Sequence, residues 1–226
     1  MLTSSCAAIY GDNLDLQELP KQTLTEEHWN TSSTLNHQAY SYSKTVAEKE
    51  AWKMVEAQSQ WDLVVVNPSL VIGPGINPYG TSESFNLVKQ MGDGTMKAGA
   101  PDLEIGVVDV RDLADAHFEA GLRPDAKGRH IVSAENSSIL DLGKTLQTKY
   151  GTAYPFPKKA LPKLLLWLAA PLVGFKRKMI KQNLGYPWKA DHSKSVEKLG
   201  MKYRSVETSI TDFFQQMIDH QIVSPK

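Results

Sequence analysis

The sequence predicts an α/β protein built on a parallel sheet, and three observations predict it. Short continuous apolar runs rich in Val and Ile, at 61–66 and 105–110, read as strands buried on both faces. Stretches with apolar residues at steps of three and four, near 40–57, 112–121 and 206–222, read as helices. Gly and Pro punctuate the joins, as at Gly73-Pro74-Gly75.

The 226 residues suffice for one sizeable domain, or one domain with a small lobe. Lys plus Arg number 25 and Asp plus Glu number 25, so no basic excess points to a nucleic-acid partner. The single cysteine, Cys6, excludes an internal disulfide and fits a reducing compartment, so a cytoplasmic protein is expected. The six histidines lack paired ligand spacing, and no metal site is expected. The opening residues do not read as a secretion signal.

Taken in order, residues 2–5 read as the tail of a buried parallel strand. Its serines then lie at the carboxyl end of the sheet, where open α/β sheets place ligands. Residues 11–39 are polar and irregular, a loop long enough to be functional. His37 and Gln38 precede Tyr40, and His37 reads as an ordinary solvated histidine. The helix over 40–57 puts Tyr40, Lys44, Ala47, Ala51 and Val55 on one sheet-facing stripe, with Glu48, Lys49, Glu50 and Lys53 as its solvated side. The strand over 61–66 is expected to stop pairing at Pro68, which has no N–H.

A Gly/Pro-rich connector spans 73–80, a short helix 84–91 and a loop 92–99. A second strand covers 105–110 and a helix 112–121, with His117 in a structural place. Asp109 and Arg111 are expected to pair or cap rather than to do chemistry. Residues 130–132 read as a strand. Ser138 with Asp141 reads as a capping-box variant opening a helix to Tyr150, and Tyr154-Pro155-Phe156-Pro157 as a stiff spacer.

The most apolar stretch, 160–175, is interrupted by Pro171 and falls short of the ~20 residues of a membrane span. It is expected to be a helix buried in a lobe. The alternative, drawn from Lys176-Arg177-Lys178 just after it, is a helix lying on a membrane over 161–178. Asp191-His192-Ser193-Lys194 reads as a helix start and Leu199-Gly200 as its stop. A last helix over 206–222 has an apolar face of Val206, Ile210, Phe213, Met217 and Ile218.

The stretch that carries chemistry is Tyr40-Ser41-Tyr42-Ser43-Lys44, a Y-x-x-x-K pattern. On a helix the phenol and the ammonium stand one above the other. A phenol ordinarily ionises near pH ~10, and a fixed cation beside it favours the phenolate. Such a group trades protons with a substrate oxygen near neutral pH.

Thr3-Ser4-Ser5 lies upstream. Ala47-Glu48, Ala51-Trp52 and Pro68-Ser69-Leu70-Val71-Ile72-Gly73-Pro74 lie downstream, and Val107-Val108-Asp109-Val110-Arg111-Asp112 follows. Together with Y-x-x-x-K, and over nearly the whole chain, this order resembles the extended short-chain dehydrogenase/reductases, in particular the dihydroflavonol reductase and cinnamoyl-CoA reductase branch. The resemblance implies the C-terminal part of a Rossmann-type parallel sheet with a smaller, mainly helical substrate lobe. Residues 1–74 and 105–135 would form the dinucleotide-binding part, and 75–104 with 136–226 the lobe. It implies a catalytic set of Ser5, Tyr40 and Lys44. A count back from Tyr10-Gly11 puts Cys6 in the place of Ser5.

NADP, or alternatively NAD, is the implied cofactor, bordered by Tyr40, Lys44, Asn67, Pro68, Leu70 and Val71. A small hydrophobic carbonyl compound is the implied substrate, and a homodimer through the Tyr-Lys helix is the implied assembly. No G-x-G-x-x-G turn occurs in the sequence. The resemblance therefore begins at about the family's fifth strand, as a fragment would. An epimerase, dehydratase or 3β-hydroxysteroid-type dehydrogenase shares the same Tyr-Lys chemistry. A truncated, non-catalytic remnant is the third expectation.

Overall fold

Two three-stranded sheets meet at a single residue. The computed structural model describes residues 1–173 and 176–226. Gly174 and Phe175, at the end of the 160–175 apolar stretch, lie outside the described residues. In the first sheet β2 (Val64–Pro68) is central, flanked by β1 (Leu2–Thr3) and β5 (Gly128–Val132), all parallel. In the second, β4 (Glu104–Asp109) is central, parallel to β3 (Leu70–Ile72) and antiparallel to β6 (Glu135–Ser138). Only Ser69 separates β2 from β3, so the chain crosses between sheets there. The α/β class and the parallel sheet are as expected. The strand at 105–110 pairs with β3 and β6, whereas the one at 130–132 pairs with β2.

The helices are α1 (Ala39–Glu56), α2 (Glu83–Gly92), α3 (Val110–Leu122), α4 (Ile139–Tyr150), α5 (Lys163–Ala169), α6 (Arg177–Asn183), α7 (Ser193–Leu199) and α8 (Val206–Asp219). Their ends follow from their caps. Ser138 Oγ accepts from Asp141 N at 3.1 Å at the start of α4. Asp109 caps α3 by accepting from Arg111 N at 2.8 Å, and its other oxygen takes Arg111 Nη2 at 2.6 Å, so the pair does both jobs expected of it. Gly200, at φ +68°, supplies the left-handed residue that stops α7.

The largest core lies between the second sheet, α4 and α8. It holds Ile210, Phe213 and Met217 of the expected α8 face, joined by Phe214 and Met91. A second, of Val66, Val108, Ala116 and Leu199, seats α3 against both sheets. His117 stands on that helix as a structural residue. Its Nδ1–H donates to Leu113 O, and its Nε2 accepts from Thr3 Oγ1, each at 2.7 Å.

Four expectations are corrected. Pro68 does not end the pairing. It stays in register opposite Val132, and Ser69 N donates to Val132 O at 3.1 Å, because a parallel strand asks for no N–H at that position. Trp61 is outside the strand, held in a turn in which Gln58 Oε1 accepts from its N and Gln58 Nε2 donates to its O. The inward stripe of α1 is Ser41, Thr45 and Glu48, one residue round from the stripe expected; Tyr40 is 63% exposed and Glu48 fully buried. Finally, the apolar helix is not buried. Leu164, Leu165, Leu168 and Leu172 are all at least half exposed, while Leu166, Trp167 and Ala170 on the opposite side pack on Ile180 and Leu184.

Candidate active site

Each of the three residues expected to act comes from a different local cause. Ser5 follows the end of β1 and caps the short 3-10 turn Cys6–Ala8, accepting from Ala7 N at 3.1 Å. Among the described residues nothing accepts its hydroxyl hydrogen, so Ser5 Oγ has a proton to donate. Tyr40 sits in the first turn of α1, whose N-cap, Gln38, stands in the left-handed region at φ +54°. Lys44 stands one turn on, its Nζ 5.9 Å from the centre of the Tyr40 ring. The pair therefore shares a face, as the spacing requires.

Cys6 is unsuited to the role of Ser5. Its thiol is buried and donates to Asn67 O at 3.3 Å. Burial pushes its pKa up to about 12, helped by Glu26, so it neither ionises nor turns outward.

Glu48 holds the strand ends to the helix of Tyr40. It lies two turns along α1 from Ser41 and is fully buried. Its Oε2 accepts from Ser4 Oγ and from Asn67 Nδ2, the latter at 2.8 Å. Its Oε1 accepts from Arg129 Nε at 2.6 Å and from Trp52 Nε1 at 3.3 Å. Asn67 Nδ2 also reaches Ser5 O at 3.1 Å. One carboxylate thus joins α1, β1, β2 and β5. The Arg129 guanidinium is stacked 4.0 Å from the Trp29 ring and donates to the carbonyls of Glu26 and His28, which ties down the long loop. A guanidinium and three further donors thus satisfy the buried carboxylate's hydrogen-bonding oxygens.

His37 is likewise not solvated. It is buried and donates from Nε2 to Asp12 Oδ2 at 2.5 Å, while Gln38 and Asn183 amides donate to the other oxygen. This cluster sets the approach to α1.

A cavity of about 600 Å³ brings together Ser5, Tyr40, Pro68, Leu70 and Val71 of the expected residues. Lys44 and Asn67 do not line it: Lys44 stands behind Tyr40, and Asn67 turns inward to Glu48. Sequence reading missed Tyr10, Ser69, Gly106 and Trp188 on its walls. Tyr10 and Trp188 meet edge-on, 6.1 Å apart. No local signal marks Trp188, which reaches the cavity through the fold alone. Ser69 Oγ is buried there without a hydrogen-bond partner among the described residues. A larger groove, about 720 Å³ between Pro20 and Glu197, contains none of the expected residues, so the smaller cavity is the candidate site.

The family model for the NAD dependent epimerase/dehydratase family matches residues 1–134. Tetraketide alpha-pyrone reductase 2 of Arabidopsis thaliana is 33% identical over 161 residues, which are 70% of this chain and 48% of that protein. Cinnamoyl-CoA reductase 1 of the same plant is 28% identical over 229 residues, all of this chain and 59% of that protein. The solved yeast methylglyoxal/isovaleraldehyde reductase complexed with NADPH superposes at a TM-score of 0.71 with 27% identity, over 97% of this chain and 63% of that one. The chain thus spans between about half and two thirds of the length of these relatives. With more than half of its residues matched by that model, over the very strands and helix that carry Ser5, Tyr40 and Lys44, the chain belongs to the NAD dependent epimerase/dehydratase family.

Proposed function

We propose that this chain carries the catalytic part of an NADPH-dependent reductase acting on the ketone or aldehyde of a hydrophobic molecule. The observation that supports it is the convergence of Ser5 and Tyr40 on one cavity, with Lys44 a turn from the phenol and apolar walls from Leu70, Val71, Ile105 and Trp188. NADPH, when bound, supplies the hydride. Tyr40 Oη gives its proton to the oxygen of the carbonyl being reduced. Lys44 makes the resulting phenolate less costly, and Ser5 Oγ–H donates to the same substrate oxygen. The backbone of Pro68 to Val71 and the unpartnered Ser69 Oγ would hold the nicotinamide end, with Asn67 fixing that strand end from behind. The residues present fit the nicotinamide end of the cofactor, and the sequence holds no G-x-G-x-x-G turn for its pyrophosphate.

The same reading includes cytoplasmic residence and a homodimer through the outer side of α1, where Val46 and Met54 are exposed. Among the described residues, no helix is long and apolar enough to cross a membrane. Titrating NADPH against the 226-residue chain, followed by nicotinamide fluorescence and by consumption of an aromatic aldehyde, tests the proposal. Saturable binding that is weakened by Lys44→Ala supports it. Absence of both binding and turnover makes the chain a non-catalytic remnant.

A further inference from the structure

The chain is neutral overall, yet its charges are segregated. From Leu142 to Ala190 the sequence holds ten Lys and Arg residues and no Asp or Glu. Within that span lie α5, the 3-10 turn Ala170–Val173 and α6. Leu164, Leu165, Leu168 and Leu172 recur at helical spacing on one side, exposed by 66, 56, 50 and 88%. Four large aliphatic side chains facing water on a single stripe are unfavourable for a surface that stays wet.

Cations flank that stripe along the chain, and two of them are held by the fold: Lys163 Nζ donates to the carbonyls of Lys181 and Leu184, and Lys176 Nζ to that of Asn36. Lys158, Lys159, Lys163, Lys176, Lys178 and Lys181 are all exposed, and none of them pairs with a carboxylate among the described residues. Arg177 is stacked over Trp167 on the inward side, 4.5 Å from its ring, and fixes α6 against α5. The helix is therefore anchored from beneath by Leu166, Trp167 and Ala170, and presents its leucines outward.

We infer that the outer face of α5, with its lysine collar, docks on an anionic phospholipid surface. The apolar stripe enters the acyl boundary, and the lysines meet headgroup phosphate and carboxylate. Charge complementarity selects this occupant. A second copy of this chain would bring the same cations against one another, and the segment holds no acid to relieve them. The length of α5 suits lying in the interface and is far short of a span. This inference does not depend on the catalytic reading.

The test is co-sedimentation of the 226-residue chain with vesicles of phosphatidylcholine alone and of equimolar phosphatidylserine and phosphatidylcholine. Binding should be about tenfold or more tighter on the anionic vesicles and should weaken as salt is raised. K158Q/K159Q/K178Q should cost about tenfold or more on the anionic vesicles. L165S/L168S/L172S should abolish binding while leaving circular dichroism unchanged, since these side chains are exposed. Equal binding to both vesicles, or binding that survives either variant, overturns the inference. So does a concentration-dependent rise in mass, removed by the leucine variant, with no vesicle binding: the face would then belong to a second copy.

Discussion

Asn67 Nδ2 lies 2.8 Å from Glu48 Oε2, and through that contact the end of the central strand is tied to the helix that carries Tyr40. Because the same oxygen also takes Ser4 Oγ, the backbone leading to Ser5 is fixed to that helix too. Glu48→Ala leaves Arg129 buried without its carboxylate and two amide or hydroxyl donors without an acceptor. The expected cost is about 3–5 kcal/mol, read as a lower urea midpoint. Glu48→Gln keeps an acceptor and should cost visibly less. Equal midpoints for Glu48→Ala and the parent would remove the residue from this role.

Tyr40→Phe tests the proton donor separately from the fold. The ring is largely exposed, so thermal stability should not change. The rate of carbonyl reduction should fall by roughly 10²–10⁴, the usual worth of general acid action. An undiminished rate excludes Tyr40 as the donor.

His130 gives the chain an acid-side weakness. It is fully buried on β5 with neither ring nitrogen bonded among the described residues, and burial, with Lys194 adding to it, lowers its pKa from 6.5 to about 4. Below about pH 6.5 the unfolded chain takes up a proton that the folded chain refuses. Stability should therefore decline as pH falls from 6.5 to about 4, by roughly 3 kcal/mol, and this group adds nothing further below that. His130→Leu should flatten that part of the stability profile without loss at pH 7, because an unsatisfied polar group is replaced by an apolar one. Chemical denaturation at a series of pH values measures both; an unchanged slope in the variant assigns the decline elsewhere.

Gly106 sets the depth of the cavity. A Cβ there would lie 2.2 Å from Trp188 Cη2, so Gly106→Ala forces the indole off its seat. The expected cost is about 1–3 kcal/mol, together with weaker binding of an aromatic aldehyde in the cavity. Trp188→Phe in the same chain should recover part of both, and the non-additivity in a double-mutant cycle measures the contact. Strictly additive effects would separate the two residues.

Much of this molecule is legible along the chain. The valines of 61–66 and 105–110 announced strands, Ser138 with Asp141 announced the start of α4, and Leu199-Gly200 announced the end of α7, since each depends on neighbours within a turn or a pleat. The Y-x-x-x-K spacing put Tyr40 and Lys44 on one face for the same reason. The local pattern places Glu48 in solvent, beside the solvated Lys49 and Glu50. Apart from Trp52 one turn on, its partners lie 44, 19 and 81 residues away, and nothing near it names them.

The sequence by itself thus determined most of the elements, their order and the shared face of Tyr40 and Lys44, because helical and strand periods and caps are local physics; the short strands β3 and β6 and the helix α6 carry no such local signal. Only the tertiary structure decided that α1 turns Glu48 and not Tyr40 inward, that Trp188 walls the cavity, and that the leucines of α5 face outward. Which side of an amphipathic or doubly apolar helix is buried depends on what packs against it. That partner comes from distant chain, so the choice is made by the assembled core and not by the pattern.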